Sequence, residues 1–233
     1  MNSIPLVLLP GLEGTGTLFA DFLAELPPEI QPIVAPYPRG KFLPYSELVS
    51  WLAGTVPDDR PFALLGESYG SPLAVQFAAT HPPNLKALIL TAGFISNPVR
   101  RFGPLPWLLS RSAVFRIPPP DLVLEYFVIG FGASQKLKAA VKMAARSEDA
   151  RVLAQRARAV AGCDARQEIQ RIRVPLLYLQ AARDRLVRRG SLEEIKRLHP
   201  ETVAVSIPAA HLLLQRQPRL AARTIAAFLE ARV

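Results

Sequence analysis

Short apolar runs alternate along this chain with longer stretches in which apolar residues recur every three or four positions. Ile4–Leu9, Pro32–Pro36, Phe62–Leu65, Ala87–Thr91, Leu176–Gln180 and Val203–Ile207 are bounded by Pro, Gly or polar residues and predict strands. Leu18–Leu26, Tyr45–Thr55, Pro72–Thr80 and Ser191–Leu198 lie between them and predict helices. A last helix is predicted from Pro218, a good first-turn residue, because Leu220, Ala221, Thr224, Ile225, Phe228 and Leu229 recur at helical spacing. Strands and helices in alternation predict an α/β fold: a doubly wound, mostly parallel sheet of about six strands with helices on both faces.

The alternation breaks between Phe94 and Arg173. The first part, Phe102-Gly-Pro-Leu-Pro-Trp107 to Pro118-Pro-Pro120, is rich in proline and aromatic residues. The second part is helical in pattern. Ser134 and Ser147 suit N-caps, and Glu148 and Asp149 suit a first turn. Ala150, Leu153, Ala154, Ala157, Val160 and Ala161 form an apolar stripe, with Arg151, Gln155, Arg156 and Arg158 off it and Gly162 placed to end the helix. Residues 94–173 therefore read as a cap inserted over the C-terminal edge of a sheet built from 1–93 and 174–233.

Composition narrows the class. A chain of 233 residues, half of them hydrophobic, fits one α/β domain with a sizeable core. The apolar runs are too short for a membrane span. Met1–Pro10 lacks the basic start and small-residue cleavage site of a signal peptide and reads as the first strand. The single cysteine, Cys163, has no internal partner for a disulfide, which makes the cytoplasm the default expectation. The net charge of +9 is uneven: residues 1–93 carry a net −4, residues 94–173 a net +8 and residues 174–233 a net +5. A basic middle segment suits an acidic partner, or else is a solvated arginine-rich helix surface. No nucleic-acid recognition motif accompanies the charge.

The candidate chemistry centres on Gly66-Glu67-Ser68-Tyr69-Gly70, between the third strand and the helix that follows. A serine on so sharp a turn projects its hydroxyl, glycines two residues away on either side relieve the crowding, and the helix N-terminus favours a developing oxyanion. A serine hydroxyl becomes a nucleophile only when a base takes its proton and a carboxylate fixes that base. His81 and His199 stand beside prolines at helix ends, whereas His211, in Pro208-Ala-Ala-His, follows the last strand. Asp184 follows the penultimate strand; its rival, Asp164, precedes that strand and is expected at the other end of the sheet or under the cap. The backbone N–H groups of Tyr69 and of Leu12 are the candidate oxyanion donors. The glycine-rich Leu9–Gly16 loop that holds Leu12 has neither the Gly-Lys-Ser/Thr ending of a P-loop nor dinucleotide-site spacing.

Leu-Pro-Gly-Leu-Glu-Gly-Thr-Gly, Leu-Gly-Glu-Ser-Tyr-Gly, Ala-Arg-Asp-Arg-Leu-Val and Pro-Ala-Ala-His, in this order, resemble the α/β-hydrolase superfamily over nearly the whole chain except the cap. Pro10-Gly11 replaces the commoner His-Gly of the oxyanion loop, and the first strand matches the family's third, implying a minimal six-stranded core. The resemblance implies a Ser68–His211–Asp184 triad that transfers acyl groups to water, with no metal or organic cofactor. Small acyl esters are the implied substrates. Phe94, Trp107 and Phe127, with Phe102, Phe115, Tyr126 and Phe131, either line an acyl pocket or form the core of the cap. Two other readings remain: hydrolysis of acyl groups on an acidic acyl carrier protein, and a ligand receptor that uses the fold without turnover.

Overall fold

The computed structural model describes residues 4–98, 112–117 and 119–232. Six strands, β1 (Ile4–Leu9), β2 (Ile30–Val34), β3 (Phe62–Glu67), β4 (Leu85–Thr91), β5 (Leu176–Ala181) and β6 (Val203–Ile207), form one sheet in the order β2-β1-β3-β4-β5-β6. All five neighbouring pairs are parallel. β2 starts two residues before its apolar run, because Ile30 pairs with Ile4 at the sheet's entry. Pro32 is accommodated because β2 is an edge strand, where a missing N–H costs no ladder bond on the open side.

The helices are α1 (Ala20–Leu23), α2 (Tyr45–Ala53), α3 (Gly70–Ala78), α4 (Ser112–Arg116), α5 (Asp121–Leu124), α6 (Gln135–Arg146), α7 (Ala150–Ala161), α8 (Arg166–Ile169), α9 (Arg189–Leu198), α10 (Leu213–Arg216) and α11 (Pro218–Arg232). The single helix expected over Leu18–Leu26 is a 3₁₀ turn, Thr17–Phe19, followed by the one-turn α1. Pro27-Pro28 leave no room for it to continue. The two-residue period of the strands divides their side chains between two cores. Val7, Leu9, Leu64, Leu88, Leu90 and Tyr178 enter one, with Leu48 and Leu52 of α2 and Leu73 of α3. Leu6, Leu8, Leu65, Ile89, Leu177 and Leu179 enter the other, with Phe19, Phe22 of α1, and Ile225 and Phe228 of α11.

Helices α4 to α8 lie between β4 and β5 in the chain. Ser134 caps α6, its hydroxyl accepting the Leu137 N–H at 3.2 Å. Ser147 is not an N-cap: it closes α6, its N–H donating to Met143 O at 3.0 Å. Asp149 caps α7 instead, its carboxylate accepting the Arg151 N–H at 2.6 Å, and Glu148 stands outside the helix. Arg156, expected on the solvated face, is only 2% exposed. The ends of the insertion belong to the main core, where Phe94, Ile95, Ala165 and Ile169 are buried. Its middle packs elsewhere: Leu124, Ile129 and Ala133 form a small third cluster with Leu212. The Leu212 N–H donates to Val128 O at 3.1 Å, tying the insertion to the segment after β6. No helix among the described residues is long and apolar enough to cross a membrane.

Candidate active site

The chain leaves β1 toward one edge and β3 toward the other, so the loops beyond their C-terminal ends diverge and open a crevice. Ser68 stands there, between β3 and α3, with φ +50° in the left-handed region that L residues seldom adopt. The turn holds itself in that state. The Ser68 N–H donates to Thr91 O at 3.0 Å, the Ser71 N–H donates to Ser68 O at 2.9 Å, and the Ser71 hydroxyl donates to Gly66 O at 2.9 Å. The flanking glycines are needed for close approach: a Cβ on Gly66 would lie 2.6 Å from Gly70 O, and one on Gly70 would lie 2.7 Å from Leu9 O.

His211 follows β6 and reaches across to this turn. Its Nε2 is 2.8 Å from Ser68 Oγ and its Nδ1 is 2.7 Å from Asp184 Oδ2. Asp184 sits in the turn after β5, where its other oxygen, Oδ1, accepts the N–H groups of Leu186 at 2.8 Å and Val187 at 2.9 Å. A carboxylate so held only accepts, so the imidazole proton is on Nδ1, and Nε2 is left to accept the serine proton. Burial alone would lower the His211 pKa. The charge of Asp184, its hydrogen bond and the charge of Glu67 outweigh burial and raise it above 6.5.

The other candidates lie elsewhere. Asp164 is half-exposed and bonded to Arg166, whose hydrogen bond lowers its carboxyl to about 2. His81 follows α3 in a left-handed conformation, and His199 ends α9 with Nδ1 3.1 Å from Thr202 Oγ1. Both stand ahead of strands, at the opposite end of the sheet from Ser68. Neither the Leu12 nor the Tyr69 N–H donates to an acceptor among the described residues. Their segments meet at the crevice: a Cβ on Gly11 would lie 3.9 Å from Ser68 Cβ. Phe94 is deep in the core with Tyr69 and Tyr178, and Phe127 is half-buried against the edge of Tyr126. Trp107 and Phe102 lie outside the described residues.

Glu67 is absent from the sequence candidates, because it occupies a variable position of the pentapeptide. It is buried, and Oε1 accepts the Gln215 amide N–H at 3.1 Å. Burial pushes its carboxyl up to about 7, against the Gln215 hydrogen bond and the His211 charge. Among the described residues the Tyr69 hydroxyl, Thr91 Oγ1 and Gln215 Oε1 are buried without partners. No cluster of three or more His, Cys, Asp or Glu side chains suited to a metal occurs among the described residues.

A six-stranded parallel sheet with helices on both faces, and a serine, histidine and aspartate gathered at its switch point, define an α/β domain of enzyme type. The family model described as alpha/beta hydrolase fold matches residues 4–215, and the chain belongs to that family. A comparison with curated protein sequences gives no match. Among solved structures, the chain is similar to the enol-lactonase from Burkholderia xenovorans LB400, with a TM-score of 0.82 and 18% identity over 99% of this chain and 92% of that one. The esterase EaEST from Exiguobacterium antarcticum gives a TM-score of 0.82 at 16% identity, over 98% of this chain and 92% of that one. The N-formylmaleamic acid deformylase from Pseudomonas putida S16 gives 0.70 at 16% identity, over 95% of this chain and 92% of that one.

Proposed function

We propose that this protein is a serine hydrolase that cleaves carboxylic esters through an acyl-enzyme. The observation that carries the reading is the hydrogen-bond chain from Asp184 through His211 to a serine held in a left-handed turn. In the proposed cycle Ser68 Oγ attacks the ester carbonyl while its proton passes to His211 Nε2. The oxyanion meets the N–H groups of Tyr69 and Leu12. Collapse breaks the C–O bond to the alcohol, which leaves with the proton from His211. Water then attacks the acyl-enzyme by the same route, His211 taking its proton and returning it to Ser68. Asp184 holds the imidazole in its working tautomer throughout. Residues 94–173 act as the cap, with Phe127 proposed on the acyl side.

The names of the structural relatives include an esterase, an enol-lactonase and a deformylase, so one frame carries several hydrolytic activities. The ester reading is preferred because an alcohol leaves a tetrahedral intermediate more readily than an amine. A receptor without turnover has no use for all three groups. Lys136, Lys138, Lys142 and Arg156 do not serve the acyl carrier reading, because they are engaged with Asp21, Glu125, Asp121 and Glu148 of the same chain.

The test is labelling and turnover. The wild type should react with a fluorophosphonate at Ser68 and hydrolyse a short-chain nitrophenyl ester. Ser68→Ala should lose both, with turnover down on the order of a million-fold, while its melting temperature stays near the wild type's. A folded Ser68→Ala protein with near-normal turnover overturns the reading.

A further inference from the structure

Arg156 is a long way from Ser68 in sequence and belongs to the insertion, yet its guanidinium is aimed at the loop after β1. Nη1 donates to Leu12 O at 3.1 Å and to Glu13 O at 3.0 Å. Nη2 donates to Glu148 Oε2 at 3.1 Å. Glu148 is itself fixed, its Oε1 accepting the N–H groups of Gly40 at 3.0 Å and Asp149 at 2.8 Å. Both side chains of this ion pair are 3% exposed. The guanidinium also lies over the Tyr37 ring, 5.3 Å from its centroid.

The consequence is seen in the loop carbonyls. Pro10 O accepts the Tyr37 hydroxyl at 2.8 Å, Gly11 O accepts the Gly14 N–H at 3.1 Å, and Gly14 O accepts the Tyr37 N–H at 2.8 Å. With Leu12 O and Glu13 O on Arg156, every carbonyl from Pro10 to Gly14 is drawn to a donor. The Leu12 N–H lies between two of these anchored carbonyls and donates to nothing among the described residues. Fixing the carbonyls on both sides fixes the direction of that N–H. Gly14 completes the arrangement: its φ is +77°, and a Cβ there would collide with the Arg156 guanidinium.

We propose that Arg156 is a positioning residue for the oxyanion site: the insertion, through the Arg156–Glu148 pair, locks the Leu9–Gly16 loop with the Leu12 N–H turned toward Ser68. The proposal rests on the serine hydrolase reading and adds to it a control of activity by the cap. Lysine cannot replace this arginine, because one ammonium lacks the planar fork that serves two carbonyls and a carboxylate together.

The test uses two variants of the full chain. Arg156→Lys keeps the charge and loses the fork. Arg156→Met combined with Glu148→Gln removes both charges, so that neither is left buried and unpaired. Complete removal of one oxyanion donor costs about 100- to 1000-fold, so misdirecting one should lower kcat by roughly 10- to 100-fold. KM for a nitrophenyl ester should stay within about threefold, because ground-state binding does not use the oxyanion donor. Inhibition by phenylboronic acid, whose tetrahedral adduct on serine mimics the intermediate, should weaken in parallel with kcat. Arg151→Ala, an exposed change on the same helix, should leave all three unchanged. Folded variants with wild-type kcat, or with KM raised and kcat unchanged, overturn the proposal. Failure of both variants to fold also overturns it, making Arg156 a residue of folding alone. A wild type inert to both ester and fluorophosphonate removes the hydrolase reading itself, whereas a reactive wild type with unaffected variants removes only this inference.

Discussion

Glu67 places a buried carboxyl one residue before the serine, and its titration should appear in both stability and rate. Its pKa is about 7 in the folded chain against 4.5 for an ordinary glutamate. The folded state therefore holds a proton that the unfolded state has released, and stability falls as pH rises from about 4.5 to about 7. Glu67→Gln removes that loss. It should gain on the order of 3 kcal/mol over the wild type above pH 7, shrinking to no gain below about pH 4, as read by denaturant unfolding across pH. The rate depends on the neighbouring base. Turnover needs neutral His211 and should rise with pH through a value above 6.5, part of which is due to the Glu67 charge. Glu67→Gln should therefore move the rising limb of kcat toward acid; an unmoved limb would show that Glu67 does not act on His211.

The turn between β3 and α3 is tight because the end of β1 crosses it. Gly70 sits under that crossing, where an added Cβ would lie 2.7 Å from Leu9 O and 3.0 Å from Pro10 O. Both contacts are with backbone, which has no rotamer to yield. Gly70→Ala should cost roughly 1–3 kcal/mol of stability, as overpacking generally does. It should also push the Leu9–Gly16 loop away from α3 and lower kcat even where the protein remains fully folded. Denaturant unfolding and steady-state kinetics on the same samples check the two effects, and unchanged stability would show that the elements can separate at no cost.

Charge acts over the entire molecule. The chain is net +9, but several of the cap's basic groups are neutralised within the fold. Arg116, Arg146, Arg151 and Arg158 enter no ion pair among the described residues. Changing all four to Glu takes the formal net charge from +9 to +1. Hydrolysis of a small neutral ester should keep its kcat/KM within about twofold, because steering acts on charged partners and is screened over about 8 Å at physiological ionic strength. A loss of about tenfold or more on an acyl carrier substrate, with the neutral ester unaffected, would establish the carrier as the partner.

The sheet, the order of its strands and helices, and the four segments that meet at the crevice were legible in the amino-acid sequence. They follow from local rules: apolar runs of strand length, helical spacing, and glycines where backbone must approach backbone. The same rules separate His211 and Asp184 from His81, His199 and Asp164, since a residue following a parallel strand lies at its C-terminal end and one preceding it does not. Capping was less legible, because Ser147 and Asp149 compete for one turn and the closing of α6 chooses between them. The roles of Glu67 and Arg156 emerge only from packing. Val152, Arg156 and Val160 fall on one helix face at intervals of four, so a signal was present, but an arginine in such a place normally extends to water. What makes it a buried anchor is the nearness of Leu12, Glu13 and Glu148, of which two are more than a hundred residues away. Local periodicity assigns a residue to a face; the donors and acceptors that meet it there are fixed when distant segments pack together.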